Sequence, residues 1–187
     1  AELLCLRPEG TAGLVRALIT NGLMNDEIKK FFYLGPMFRY ERPQKGRKRQ
    51  FFQAGAELIG EESTKSDVEI ISLAKTILEK LEIKYSLEIN YLGKDESLNS
   101  YRAYLRKYLQ NYKDDFEDKV YSRLQRNPLR AIDSKDVKIK KIFEDAKDIS
   151  AFLTNDEKES FDKTINSLKE LKIKFEVNKK LVRGLDY

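Results

Sequence analysis

Apolar positions along this chain follow two different periods, and the switch between them divides it. Between Tyr33 and Leu58 the spacing suits strands: Tyr33, Met37 and Phe38 precede a polar stretch, and Phe51, Phe52, Ala54, Ala56 and Leu58 follow it. Bulky residues on either side of Pro43 to Gly46 predict a hairpin with a polar loop. Alternation sets Arg39 and Glu41 on one face of the first strand, and Phe51, Gln53, Gly55 and Glu57 on one face of the second. Phe38, Tyr40, Phe52, Ala54 and Leu58 point the other way, toward an expected core.

Helical spacing brackets the hairpin. Thr11 is placed to cap a helix striped by Leu14, Val15, Leu18 and Ile19 and closed by Asn21-Gly22. Ser66 and Glu69 have capping-box spacing ahead of Ile71, Ala74, Ile77, Leu78 and Leu81. Tyr85, Leu87, Ile89 and Tyr91 alternate as a strand up to Gly93, and from there to about Leu171 the period is helical. Tyr101, Tyr104, Leu105, Tyr108, Leu109 and Tyr112 form one stripe, and Phe161, Ile165, Leu168 and Leu171 another. The tyrosines suit either a core face or a stack for bases. Pro128 breaks the helical run, and Asp133-Ser134 offers a new cap. Ile173, Phe175 and Val177 resume strand alternation, so the chain is expected to rejoin the sheet that it left near Gly93. The class is α+β, with divisions at residues 1–93, 94–171 and 172–187.

Charge sharpens the hairpin. Between Lys29 and Arg49 stand eight basic residues against the single Glu41, a net of +7, whereas all 187 residues carry only +5. Positive field is therefore gathered at one loop, where it would attract polyphosphate or nucleic-acid backbone. The polar face beside it is open to two readings, a solvated outer surface or a binding floor with a bare spot at Gly55. Chemistry is narrowed from the other side: there is no histidine and only Cys5, which excludes histidine-based triads, the usual zinc ligand sets and an internal disulfide. No apolar run reaches the roughly 20 residues of a membrane span, and no leader pattern opens the sequence, so a cytoplasmic home is expected. Both ends read as cut, and a fragment of something longer is expected.

Three segments carry a resemblance. Arg7-Pro8-Glu9-Gly10-Thr11, then Gly35-Pro36-Met37-Phe38-Arg39-Tyr40-Glu41-Arg42-Pro43-Gln44-Lys45-Gly46-Arg47, then Leu181-Val182-Arg183-Gly184-Leu185-Asp186-Tyr187 resemble, in order and spacing, the histidyl-tRNA synthetases. Asn127-Pro128-Leu129-Arg130 and Asp133-Ser134-Lys135 are similar to their insertion domain. The middle segment resembles the second signature motif of class II aminoacyl-tRNA synthetases, and the last the histidine-specific motif. Such a likeness implies part of a class II antiparallel sheet with flanking helices and a small helical insertion.

Roles follow from the resemblance. It implies that Arg39 grips the ATP α-phosphate and the histidine carboxylate, with Arg183 opposite it. Glu41 would lie near the adenine, Phe51 would stack on it, and Arg47 would hold the outer phosphates. Glu9 and Thr11 would bind the amino group of L-histidine, Gln53 and Glu57 would complete the pocket, and Tyr187 would help to close it over the imidazole. Magnesium would arrive with ATP, and no protein side chains are identified as metal ligands. The implied partner is tRNA(His), and the implied assembly a homodimer. The first and third signature motifs and an anticodon-reading domain are absent from the sequence, so inactivity of this polypeptide by itself is expected. Two rivals are a catalytically silent paralogue that regulates histidine biosynthesis, which usually lacks the histidine-specific motif, and an RNA-binding module that uses only the basic loop.

Overall fold

The structure is a computed structural model that describes residues 4–24 and 27–182. Two compact units divide the chain, one reaching to Leu73 and the other starting at Ala74.

In the first unit, α1 (Thr11–Thr20) buries Leu18 and ends where the Leu23 amide reaches Leu18 O, across Gly22 at φ +64°. That left-handed step closes the helix in the manner that glycine allows. Its start departs from expectation. Thr11 is the first helical residue, and the capping is done by Glu9, whose carboxylate accepts from the Thr11 and Ala12 amides at 2.6 and 3.0 Å.

Strands β1 (Lys29–Phe38) and β2 (Gln50–Ile59) pair antiparallel, with Tyr33 opposite Gly55 and Met37 opposite Phe51. Odd-numbered positions thus share one face across both strands, as the alternation requires. The expected core lies on the wrong side, however. Phe52 is 74% exposed and Tyr40 92%, and Ala54 is exposed, while Phe38 and Leu58 are half-buried. Phe31, Tyr33, Gly35 and Met37 are the covered positions of β1, together with Phe51, Gln53, Gly55 and Glu57 of β2. The reason is what lies beside them. Arg7 donates from Nε to Pro36 O, Phe38 N donates to Arg7 O, and Gly10 meets the Tyr33 ring, so the Arg7–Thr11 segment covers the polar-bearing face.

Helix α2 (Thr64–Lys80) starts two residues before the expected box: the Ser63 hydroxyl accepts from Ser66 N, while Ser66 Oγ turns to Glu61 and Glu69 pairs with Lys30.

The second unit is helical. α3 (Asp95–Gln110), α4 (Asp118–Arg126), α5 (Leu129–Ile132), α6 (Val137–Ile142) and α7 (Asn155–Glu170) enclose a core of Tyr101, Leu105, Leu109, Leu124, Ile139 and Ile149. Of the tyrosine stripe, Tyr101 is fully buried, and Tyr104 and Tyr108 pack against the cluster, so packing accounts for these rings. Asp136, rather than Asp133 or Ser134, caps α6 by accepting from the Lys138 and Ile139 amides. β3 (Glu88–Ile89) and β4 (Glu176–Val177) pair in parallel, so the returning chain does lie beside the strand that it left. This pair is a separate two-stranded sheet, much shorter than the alternation suggested.

Candidate active site on the hairpin

The covered face gathers polar side chains that lie far apart in sequence. Thr11 Oγ1 donates to Glu57 Oε1 at 2.6 Å and sits 3.3 Å from the Tyr33 hydroxyl. Gln53 Nε2 donates to that hydroxyl at 3.4 Å, while Gln53 Oε1 is buried with no partner among the described residues. The N-terminus of α1, the Tyr33 hydroxyl and two residues of β2 therefore form one connected patch. A buried acceptor left unmatched is costly, and Gln53 Oε1 carries that cost inside the floor.

Tyr33 was missed by sequence reasoning. A Cβ on Gly10 or on Gly55 would collide with its ring, so the bare spot expected at Gly55 is filled by the protein's own phenol. The available signal was two glycines and a tyrosine on one face. It becomes readable only with the register that sets Tyr33 against Gly55.

At the loop end of the same face, Arg39 donates from Nε to Pro8 O at 2.8 Å, and its guanidinium carbon lies 5.0 Å from the centre of the Phe51 ring. Arg39 and Phe51 are thus brought together, with the cation held over an aromatic face. Arg39 and Glu41 lie just past the end of β1, and the Arg39 amide still reaches Arg49 O at 2.9 Å. Beyond them Gln44 and Arg47 exchange backbone hydrogen bonds around Gly46 at φ +80°, a tight reversal that presents the basic loop. Arg47 pairs with Glu41 at 3.0 Å, and Arg49 lies over Tyr40 at 4.6 Å. Residues 42–50 are all exposed.

Glu9, Thr11, Gln53 and Glu57 share the inner end of the face, and Arg39, Glu41, Arg47 and Phe51 share the outer end. Arg183 and Tyr187 lie outside the described residues. What remains is a floor with donors and acceptors at one end and fixed positive charge at the other. A zwitterionic amine at the carboxylate end and a polyanion at the guanidinium end would match it.

Comparison with known proteins decides which family built this floor. The family model described as histidyl-tRNA synthetase matches residues 1–185. The chain belongs to the histidyl-tRNA synthetase family. It is 48% identical over 183 residues to the histidine–tRNA ligase of Prochlorococcus marinus (strain MIT 9301), covering 97% of this chain and 43% of that protein. The Dictyoglomus turgidum histidine–tRNA ligase is 47% identical over 186 residues, covering 98% and 45%. The crystal structure of apo S. aureus histidyl-tRNA synthetase superposes with a TM-score of 0.74 at 33% identity, over 97% of this chain and 42% of that one. The chain therefore spans less than half the length of these synthetases, and its α+β fold is theirs. Among the described residues, no helix is long and apolar enough to cross a membrane.

Proposed function

We propose that this chain forms part of an enzyme that activates L-histidine with ATP and transfers the histidyl group to tRNA(His). One observation carries the reading: in a chain of this family, Glu9, Thr11, Gln53 and Glu57 meet on the same hairpin face as Arg39 and Phe51. Attack of the histidine carboxylate on the α-phosphate brings two anions together and builds charge on a crowded phosphorus. Arg39 would offset that charge, and magnesium would travel with ATP as part of the substrate. Arg47 would release Glu41 to take the outer phosphates, while Glu41 would face the adenine stacked on Phe51. At the other end Glu9 and Thr11 would hold the amino group, and Gln53 and Glu57 would meet the rest of the amino acid. Positioning supplies most of the rate in such a reaction, since no protein nucleophile is needed.

Arg183 and Tyr187 are proposed to complete the pocket from the histidine-specific motif. The proposed divisions are a catalytic portion at residues 1–93, a helical insertion at 94–171 that touches the tRNA acceptor arm, and a return at 172–187. The reading carries with it a homodimer and a cytoplasmic home for the whole enzyme.

The test is histidine-dependent ATP–pyrophosphate exchange by a chimera in which this chain replaces the matching 183 residues of the Prochlorococcus ligase. Exchange is expected, with Arg39→Ala lowering it by about 10²–10³-fold and Glu57→Gln acting mainly on the KM for histidine. A folded chimera without exchange, or one indifferent to Arg39→Ala, would overturn the reading. The isolated chain is expected to show little or no exchange.

A further inference from the structure

Between the two elements that build the inner end of the floor stands Tyr33, a residue of β1. Its ring lies in a slot kept open by glycine on both sides: a Cβ at Gly10, just ahead of α1, or at Gly55, its partner across the strand pair, would strike it. From that slot its hydroxyl lies 3.3 Å from Thr11 Oγ1 and 3.4 Å from Gln53 Nε2. Tyr33, Thr11, Gln53 and Glu57 are all half-buried, so water competes only in part for these contacts. The Thr11 main chain is anchored separately, because its amide donates to Glu9 at 2.6 Å.

Hydrogens along this path can run in one direction only. A carboxylate accepts and does not donate, so the Thr11 proton is spent in the 2.6 Å bond to Glu57 Oε1. A hydroxyl has one proton. Thr11 Oγ1 is therefore the acceptor in its contact with Tyr33, and Tyr33 the donor. Tyr33 in turn accepts from the Gln53 amide. Turning that amide over would draw the Tyr33 proton to Gln53 and leave no hydrogen between Tyr33 and Thr11. The chain thus runs from Gln53 through Tyr33 and Thr11 to the Glu57 charge, and each bond polarises the next. Thr11 Oγ1 has no proton left to give, only a lone pair. That suits a donor-only ammonium group.

We infer that Tyr33 is a positioning residue for recognition of the amino acid: its hydroxyl holds the Thr11 oxygen as an acceptor for the ammonium group and ties it to the Gln53 amide across the floor. The inference rests on the assignment of this floor to L-histidine, and it adds what orients two of the assigned contacts. Tyr33 acts through Thr11 and Gln53 and need not touch the substrate. Its effect belongs to the amino acid and not to the nucleotide, whose proposed contacts begin at Arg39.

The test is histidine-dependent ATP–pyrophosphate exchange by the full-length chimera carrying Tyr33→Phe, which keeps the ring in its slot and deletes the hydroxyl. The KM for histidine is expected to rise by about three- to tenfold, the worth of a neutral hydrogen bond, while the KM for ATP and the rate at saturating histidine stay within about twofold of the parent. In a Thr11→Val background, where the oxygen to be oriented is gone, Tyr33→Phe should add less than about twofold. A folded chimera without exchange would overturn the reading of the floor, and this inference with it. In a chimera that does exchange, the inference alone is overturned by an unchanged KM for histidine, by equal losses in both KM values and in the saturated rate, or by effects of the two substitutions that multiply in full.

Discussion

Single side chains decide how the elements of this fold begin, and Glu157 shows it most sharply. It is 6% exposed, and its carboxylate accepts from Lys94 N and Ser97 Oγ, both at 2.6 Å, and from Thr154 N at 2.8 Å, while Thr154 Oγ1 accepts from Glu157 N in return. The capping box of α7 thereby also ties down the start of α3. Gly93 is caught in the same knot, since a Cβ there would meet Leu153, Ser97 and Glu157 at 2.7–3.1 Å. Burial by itself would raise the Glu157 pKa, but the donors from Lys94, Ser97 and Thr154 together outweigh it and hold the pKa at about 2. A carboxylate whose folded pKa lies below its ordinary value stabilises the fold above that ordinary value, and the contribution drains away as pH falls from about 4.5 toward 2. Glu157→Gln keeps the shape but turns an amide toward donors, and should cost about 2 kcal/mol at neutral pH. Urea denaturation of the two proteins should show the gap closing on acidification; a gap independent of pH would refute this account. The Thr154-x-x-Glu157 box was passed over by sequence reasoning, and the three starts that were read were misplaced by two or three residues. Glu9, Ser63 and Asp136 cap where Thr11, Ser66 and Asp133-Ser134 were expected. Several residues able to cap lie within one turn of each other, and tertiary partners such as Glu57 for Thr11 and Glu61 for Ser66 choose among them.

At the scale of elements, the hairpin was legible in its strands and in its loop, while the coincidence of its two polar-bearing faces waited on the register. Which face is covered was not legible. Alternation fixes which residues share a side, but the cover comes from Arg7–Thr11, some 20 residues away, and its fit depends on two glycines and one ring. Gly55→Ala makes this measurable. Its methyl group would overlap the Tyr33 ring and push it from the Thr11 and Gln53 contacts, costing about 1–3 kcal/mol. In a Tyr33→Ala background the same change should cost far less, giving a coupling energy of the same size in a double-mutant cycle. Additive effects would mean that the ring relaxes freely and does not organise the floor. The helical unit was easier to read because its contacts are local and its periods long. The β3–β4 pair was overestimated because Tyr85 to Tyr91 alternates over more residues than the two that find a partner.

For the chain as a whole, charge and apolar surface are sorted to different places, and each should govern a different association. The even-numbered hairpin face leaves Phe32 84%, Leu34 72% and Phe52 74% exposed, side by side with Ala54 and Ala56. Contiguous apolar surface of this kind drives self-association, and a net charge of only +5 over 187 residues opposes it weakly. The basic loop, by contrast, should bind polyanions through phosphate contacts and lose them as salt rises. Sedimentation of the chain at micromolar concentrations should therefore show association that persists or strengthens from 50 to about 500 mM salt, where screening removes most exposed charge effects. Phe32→Glu with Phe52→Lys should abolish that association while the circular dichroism of the helical unit stays unchanged, because neither residue belongs to its core. Loss of association on adding salt to the unmodified chain would instead assign it to the loop. Equal association by the double variant would clear the apolar face altogether.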